Sequence, residues 1–442
     1  MLAGASFATS LAAQERYAAL QTAQAPSPEL RQQYDAAFAA MLGDPGNLDK
    51  IFRFAELAVA VGDLEGAVSA LERMLLIDAN LPRVRLELGV LYYRLGSFEA
   101  ARTYLLAALA APNLPADVRA RAETFLAEIE RQRAPSKLNG TLMTGIRYQS
   151  NANAAPTGTV RVGGIPATLD DNSTAASDWN VFVALNALHE LDMGTQYGDA
   201  WETRAVGYAT RQFERQEVDV ALGSISTGPR FALLPKAVEG LSLRPAIALD
   251  YVMLDDSTDY TGYGVSLSLD KKIGRDVIGL GVDWRHRNYN STSDNVVNDD
   301  RTGRELSARI GWDFVFAQWL TGAVSAGYAD YNARKAWESY GEIQLGLSFN
   351  VYLDFSPFVK EQKTALVIAG SHLRANYNKA DPVVDPDEKR RDRDWRLSLT
   401  GSLPLTESIS LVAQGGYARR NSSLPNYEYT NWFGMTALAW RF

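Results

Sequence analysis

The sequence predicts an α + β chain in two parts, with helical repeats over residues 28–135 and a transmembrane antiparallel β-barrel of about fourteen strands over 136–442. Three observations carry this reading. The apolar period is helical up to Ala134-Pro135-Ser136 and becomes two from Lys137 onward. From there, segments of about 10–15 residues alternate large apolar side chains with small or polar ones. No apolar run of about 18 residues occurs, so any membrane crossing must be made by strands.

The first segment, Met1-Leu2-Ala3-Gly4-Ala5-Ser6-Phe7 leading to Ser10-Leu11-Ala12, has the small residues of an Ala-x-Ala-type cleavage site but no basic stretch before it. Residues 1–27 are expected to be the remnant of a signal peptide with a flexible N-terminus; a disordered Ala-rich tail is the alternative.

A helix is expected around Glu29–Leu42, and an internal repeat follows it. Val61-Gly62-Asp63-Leu64-Glu65-Gly66-Ala67 aligns with Leu95-Gly96-Ser97-Phe98-Glu99-Ala100-Ala101 at an offset of 34 residues, the tetratricopeptide period. Gly62 and Gly96 are expected to form the turns between paired helices, and Ala67 and Ala101 to sit where helices cross closely. Gly89 and Tyr92 take the first-helix Gly and Tyr places of the second repeat; the first repeat has Ala55 and Ala58 there. Residues 116–133 read as a capping helix in the same phase. Such repeats form a scaffold that binds chains or neighbouring domains and carry no chemistry of their own. The groove they form is expected to present Glu56, Arg83, Leu86, Val90, Tyr93, Arg94 and Asp117, of which Tyr93 and Arg94 are the first choices for cargo contact. An ordinary solvated helix face, or contact with the barrel mouth, would account equally for these residues.

The barrel strands are expected at 138–150, 178–190, 200–213, 216–233, 241–254, 259–272, 275–289, 301–316, 318–331, 335–352, 355–376, 391–404, 407–419 and 428–442. Alternation is cleanest over 341–351, 395–403 and 278–285. The longest connections (151–177, 290–300, 377–390) are all odd-numbered, whereas Lys272-Ile273-Gly274 and Pro404-Leu405-Thr406 are short even-numbered ones. Long loops at one end and short turns at the other are the outer-membrane pattern. In the last strand Leu438, Trp440 and Phe442 share one face, opposite Ala437, Ala439 and Arg441. This ending resembles the C-terminal signal by which the barrel-assembly machinery recognises bacterial outer-membrane proteins.

Composition narrows the function. The chain has no Cys and three scattered His, which leaves no thiolate or zinc-type ligand set. A net charge of −8 argues against nucleic acid as a partner. With 20 Tyr and 9 Trp there is material for interfacial aromatic belts. Acidic clusters at Asp255–Asp259, Asp294–Asp300 and Asp381–Asp394 lack EF-hand spacing and read as solvated loops, so no metal or cofactor is expected. The run Lys389-Arg390-Arg391-Asp392-Arg393-Asp394 reads first as a solvated strand end, and second as a contact for lipopolysaccharide phosphates. Asp283, Arg285 and Arg287, with Arg396 and Arg441, fall on polar faces and are expected to line the lumen, pairing with one another or tuning selectivity. His286 with Asp283 and Ser266 is the best catalytic set available, but no Gly-x-Ser-x-Gly nucleophile motif occurs and no enzyme activity is expected.

The junction between the two parts reads Asn139-Gly140-Thr141-Leu142-Met143-Thr144-Gly145-Ile146-Arg147-Tyr148-Gln149-Ser150-Asn151-Ala152-Asn153-Ala154-Ala155-Pro156. It resembles the first barrel strand of the surface lipoprotein assembly modulator family, the outer-membrane component of type XI secretion, which carries a Tyr-Asp-Ser-Asn-x-Asn-x-x-Pro stretch. Tyr148, Ser150, Asn151, Asn153 and Pro156 match; Gln149 stands in place of the Asp. The resemblance implies a monomeric fourteen-stranded translocon in outer-membrane lipid, with the helical domain in the periplasm. It would pass surface lipoproteins or soluble haem- or metal-binding proteins to the cell surface, with no bound cofactor or energy source. The seam between the first and last strands is where a lateral opening would be sought. A polysaccharide-export porin with a periplasmic repeat scaffold is the alternative reading, and a structural or adhesive barrel acting through the 151–177 loop is a third.

Overall fold

The computed structural model describes residues 27–112, 114–156, 158–170, 173–292, 295–359 and 362–442, and the chain divides into two compact units between Ala134 and Pro135. The expected signal-peptide remnant lies outside the described residues except for Ser27, which caps the first helix. Asp294 of the second acidic cluster also lies outside them.

The helical unit contains α1 (Pro28–Gly43), α2 (Leu48–Val61), α3 (Leu64–Ile77), α4 (Pro82–Arg94), α5 (Phe98–Leu109) and α6 (Ala116–Arg133). Its boundaries follow from capping chemistry. Ser27 accepts from the Leu30 amide at 3.2 Å, with Pro28 in the first turn, where a missing N–H costs nothing. Asp63 accepts from the Gly66 amide at 2.9 Å and also from the Tyr34 hydroxyl at 2.8 Å, so one carboxylate starts α3 and ties down α1. Gly62 (φ 89°) terminates α2, and Gly96 (φ 74°) makes the equivalent turn one repeat later. A Cβ on Gly89 would lie 2.6 Å from Leu105 Cγ, so only glycine lets α4 and α5 approach this closely. Two apolar cores result: one around Ile51, Ala58, Leu71 and Leu88, the other around Leu86, Leu105, Val118 and Ile129. Tyr92 and Tyr104 stack with ring centroids 5.4 Å apart, and both donate to Glu72 Oε1, at 2.7 and 3.1 Å.

The second unit is a closed antiparallel barrel of β1 (Ser136–Gln149), β4 (Asp178–Asp192), β5 (Ala200–Gln212), β6 (Val220–Ala232), β7 (Leu241–Leu254), β8 (Ser257–Ile273), β9 (Asp276–Tyr289), β10 (Gly303–Ala317), β11 (Leu320–Ala333), β12 (Tyr340–Leu353), β13 (Thr364–Tyr377), β14 (Arg391–Pro404), β15 (Ile409–Ser422) and β16 (Tyr429–Arg441), with β1 paired to both β4 and β16. All fourteen expected strands form. Three begin at least four residues later than the sequence predicts. β6 starts at Val220, because Gln216–Val218 forms a short 3-10 turn before it. β13 starts at Thr364, because the Phe355 carbonyl accepts from the Thr364 amide at 3.2 Å and Pro357 cannot donate to a ladder. The even-numbered connection 354–363 is therefore longer than expected. β12 starts at Tyr340, because Ser339 Oγ takes the Ala333 amide at 2.9 Å and closes the preceding turn.

One element was not foreseen: a hairpin of β2 (Thr159–Val162) and β3 (Ile165–Thr168) inside the first long connection. Its two-residue turn is Gly163-Gly164, both at positive φ, a turn sequence that itself signals a hairpin.

Strand alternation puts large apolar residues outside. On β12, Ile343, Leu345, Leu347 and Phe349 are exposed while Asn350, next along the strand, is buried. Aromatic pairs ring both ends: Tyr148–Trp179, His372–Trp395 and Tyr417–Trp432 toward the long loops, Trp312–Phe314 and Trp440–Phe442 toward the short turns. An apolar band between two aromatic girdles is the surface that a bilayer solvates. No helix among the described residues is long and apolar enough to cross a membrane.

Candidate functional site at the barrel seam and lumen

The seam between β1 and β16 runs in register from Thr141↔Arg441 to Gln149↔Phe433. Beyond its lower end Gly140 and Phe442 exchange backbone bonds of 3.0 and 3.1 Å. Glycine is required there, since a Cβ on Gly140 would lie 2.5 Å from the Phe442 ring. At the long-loop end the closure is made by side chains. Ser150 donates its amide to the Trp432 carbonyl at 2.8 Å, and its Oγ accepts from the Trp432 amide at 2.8 Å. The Asn151 amide donates to Asn431 Oδ1 at 3.1 Å. The buried Asn151 side chain both accepts from and donates to the Ala155 backbone, at 3.1 and 2.8 Å. Asn153 does the same across the loop, donating to the Thr174 carbonyl and accepting from the Ala176 amide. The motif residues thus have defined places: Tyr148 outside against Trp179, Ser150 and Asn151 on the closing strand, Asn153 folding the loop, and Pro156 just beyond the Ala155 pinned by Asn151.

The β2–β3 hairpin then crosses toward β14–β16. Arg161 exchanges backbone bonds with the Asn426 side chain, both at 2.9 Å, and its guanidinium lies 2.5 Å from Asp385. The Asp387 amide, and after it Arg161, hold the Asp385 carboxyl below the usual carboxylate range. Gly163 and Gly164 donate to the Val383 and Val384 carbonyls. The first long loop is thereby tied to the loops that follow β13 and β15.

The lumen is lined by charges of both signs that pair internally. Nearest the short turns, Glu202 holds Arg204, Arg230 and Arg244 at 2.9, 2.6 and 3.0 Å. At mid-height Arg285 lies 3.4 Å from Asp250 and 3.5 Å from Asp283. Nearer the long loops Arg287 pairs with Glu305 at 3.0 Å, and Arg420 with Asp394 at 2.7 Å. Arginine–tyrosine stacking completes this tier: Arg301 over Tyr289, and Arg390 over both Tyr377 and Tyr427. Burial in the adjoining turns pushes the Glu338 carboxyl and the Tyr427 hydroxyl up.

Asp283, Arg285 and Arg287 alternate with the exposed Leu280 and Val282, so they occupy the inner face together. Arg396 alternates with the exposed Trp395 and Leu397, and Arg441 with Trp440, which puts both on the inner side. Arg441 is a rim residue, donating to Gln362 and to the Glu407 carbonyl. Leu438, Trp440 and Phe442 fall on the outer side. Sequence reasoning missed the Glu202 cluster and the arginine–tyrosine tier. Their signal was present in the alternate-position pairs Glu202-x-Arg204 and Asp392-x-Asp394, which a period-two reading places on one face. His286 faces outward against Tyr263 while Asp283 faces inward, so those two members of the catalytic set do not converge.

In the helical unit the groove candidates do not meet in one pocket. Arg83 and Asp117 pair at 2.9 Å, and Glu87 and Arg121 pair at 2.9 Å; each pair spans 34 positions, one repeat. Glu56 pairs with Arg53 on its own helix at 3.3 Å. Tyr93 packs between Phe98 and Phe125, and Arg94 is exposed. Leu86 must be corrected: it is 1% exposed and belongs to the second core, because the α4 face it shares meets α5 and α6.

The tetratricopeptide repeat family matches residues 58–123, consistent with the 34-residue spacing of the ion pairs. No curated protein sequence matches the chain. Three similar solved structures are tetratricopeptide or chaperone domains. The P58(IPK) TPR domain is 25% identical over 24% of this chain and 30% of its own, with TM-score 0.22. PcrH, solved with the chaperone binding region of PopD, is 18% identical over 24% of this chain and 81% of its own, with TM-score 0.22. The Yersinia enterocolitica type III secretion translocator chaperone SycD is 15% identical over 24% of this chain and 74% of its own, with TM-score 0.23. The chain thus spans under a third of the first of these.

Proposed function

We propose that the protein is an outer-membrane translocon of the surface lipoprotein assembly modulator type, moving protein cargo from periplasm to cell surface while the periplasmic repeats handle that cargo. The observation that carries this reading is the use of the Tyr148–Pro156 stretch. Its polar members clasp the first strand to the last and fold the long loop across the seam, in a barrel joined to tetratricopeptide repeats. Surface lipoproteins or soluble haem- or metal-binding proteins are the cargo class, and catalysis is not part of the proposal. The internally paired lumen of mixed sign fits a path that tolerates varied surfaces better than one built for a uniformly charged glycan, which disfavours polysaccharide export. The test is deletion of the gene followed by protease accessibility of a candidate cargo encoded beside it. The cargo is expected to lose surface exposure and accumulate in the periplasm. Unchanged exposure rejects the translocon.

A further inference from the structure

The run Lys389–Asp394 mixes signs in sequence, four basic residues with two acidic, and the barrel sorts them by face. Asp392 and Asp394 are each 2% exposed and turn inward to Arg390 and Arg420, whereas Arg391 and Arg393 are exposed on the outer side. Arg393 is the direct cross-strand partner of Arg374 on β13, which is also exposed. Like charges opposed in this way are destabilising by themselves. Neither has a carboxylate within 4.0 Å among the described residues. Arg419, also outward, joins the row beneath as partner of Trp395. The neighbouring carboxylates are already engaged: Glu388 by Arg391 at 2.8 Å, Glu428 by the Ser422 amide at 3.3 Å, and Asp330 on β11 by Asn332 at 2.6 Å.

Two residues along each strand, about 7 Å toward the membrane centre, lie the His372–Trp395 stack at 4.0 Å and, beyond it, the Tyr417–Trp432 pair at 4.4 Å. Below these the outer wall is hollow. A depression of about 930 Å³ is lined by Ile310, Val324, Leu345, Leu347 and Leu397, with Gly370 supplying no side chain. From β10 to β14 it spans four strand spacings, about 19 Å, enough for several acyl chains side by side.

We propose that this outer wall binds a phosphorylated glycolipid of the lipid A type, with its phosphates between Arg374 and Arg393, its sugars against the rings, and its acyl chains in the depression. Guanidinium groups suit phosphate because their planar fork donates two parallel bonds. A free phosphate would use only the top of this arrangement, and a two-chain phospholipid would leave much of the depression empty. The assignment to the outer leaflet rests on the orientation proposed above, but the binding test is independent of secretion.

The experiment uses the full chain in dodecyl maltoside and counts bound lipid by native mass spectrometry. Hexa-acylated lipid A is compared with its dephosphorylated form, phosphatidylglycerol and inorganic phosphate. The double variant Arg374→Gln/Arg393→Gln is expected to weaken lipid A binding by about tenfold per arginine. Gly370→Leu fills the depression, and its Cβ would sit 3.8 Å from the nearest atom, in ordinary contact, so the barrel accommodates it. It is expected to reduce binding while leaving the gel mobility of the folded barrel unchanged. Wild-type affinity in both variants overturns the site. Equal binding of dephosphorylated lipid A or of phosphatidylglycerol overturns the glycolipid assignment, and displacement of lipid A by equimolar inorganic phosphate overturns a lipid-borne ligand.

Discussion

The backbone amide of Asn151 reaches Oδ1 of Asn431 at 3.1 Å, although 280 positions separate them. The same oxygen lies 3.4 Å from Ser150 Oγ, so a single amide side chain on β16 receives both residues at the end of β1. The β1–β16 ladder therefore ends on side chains, and these set how firmly the upper seam is held.

Replacing Asn431 by Ala removes that acceptor and leaves the buried Asn151 amide without its partner. The cost should be about 1–3 kcal/mol, confined to the seam. Hydrogen exchange is expected to accelerate by tenfold or more for amides of 148–152 and 430–434, since about 1.4 kcal/mol corresponds to a factor of ten. Asn153→Ala should instead loosen 174–176, whose carbonyl and amide it holds. Equal acceleration all round the barrel in Asn431→Ala would refute a local clasp.

A larger loss is expected from Glu202→Ala. This carboxylate is 2% exposed and serves three arginines, of which Arg244 is itself 6% exposed. Removing the acid leaves a buried cation uncompensated, a change that costs about 3–5 kcal/mol. The temperature at which the barrel loses its folded gel mobility should fall well below that of Arg204→Ala, because Arg204 is half-exposed and its loss still leaves two partners on the acid. Equal midpoints for the two variants would show that the cluster is solvated and unimportant.

How much of this was legible in the sequence depended on whether a feature is periodic. Alternation around Leu345 and Leu397 located every barrel strand, and the spacing between Gly62 and Gly96 located the repeats, because both signals recur in register with backbone geometry. Alternation also assigned Asp283, Arg285 and Arg287 to one face. It could not show that Arg285 reaches Asp250 on β7 or that Glu202 gathers arginines from three strands, since cross-strand partners depend on register and barrel closure. Leu86 was misplaced for a related reason: helix phase gives a face, but not which neighbour covers it. Arg391 and Arg393 read as part of a run of mixed sign until the strand separated them from Asp392 and Asp394.

The helical unit should respond to alkaline pH through one carboxylate. The hydrogen bond from Tyr92 to Glu72, with burial second, pushes the Tyr92 hydroxyl up to about 12 from an ordinary 10.0. Burial, and then the same carboxylate, pushes Tyr104 up as well. A raised folded-state pKa means that the folded form holds its proton longer than the unfolded chain. The stabilisation is therefore complete below pH 10 and is lost as pH rises from about 10 toward 12. The helical melting transition at 222 nm should fall over that window, and Tyr92→Phe should flatten the fall while lowering the plateau at neutral pH. An unchanged slope in Tyr92→Phe would remove Tyr92 as the titrating group.

The seam itself can be tested covalently, because the chain has no cysteine and any engineered pair is unique. Gly140 and Phe442 exchange both backbone bonds, so the pairs an odd number of residues away, including Met143↔Ala439, are non-hydrogen-bonded. Such pairs have Cα atoms about 4.5 Å apart, within the range a disulfide spans. Met143→Cys/Ala439→Cys should therefore crosslink under mild oxidation and lock β1 to β16 below the Asn431 clasp. Under the translocon reading with a lateral exit, oxidised cells are expected to lose surface cargo and to recover it on reduction. A control pair in the opposite wall, Ser307→Cys/Ala329→Cys across β10 and β11, should leave export unaffected in either state. Full export through a locked seam would exclude lateral opening between β1 and β16 and leave the lumen as the route. Asn431→Ala in the same assay should raise export in the reduced state and have no effect once the disulfide is closed, since only the crosslink then limits separation of the strands.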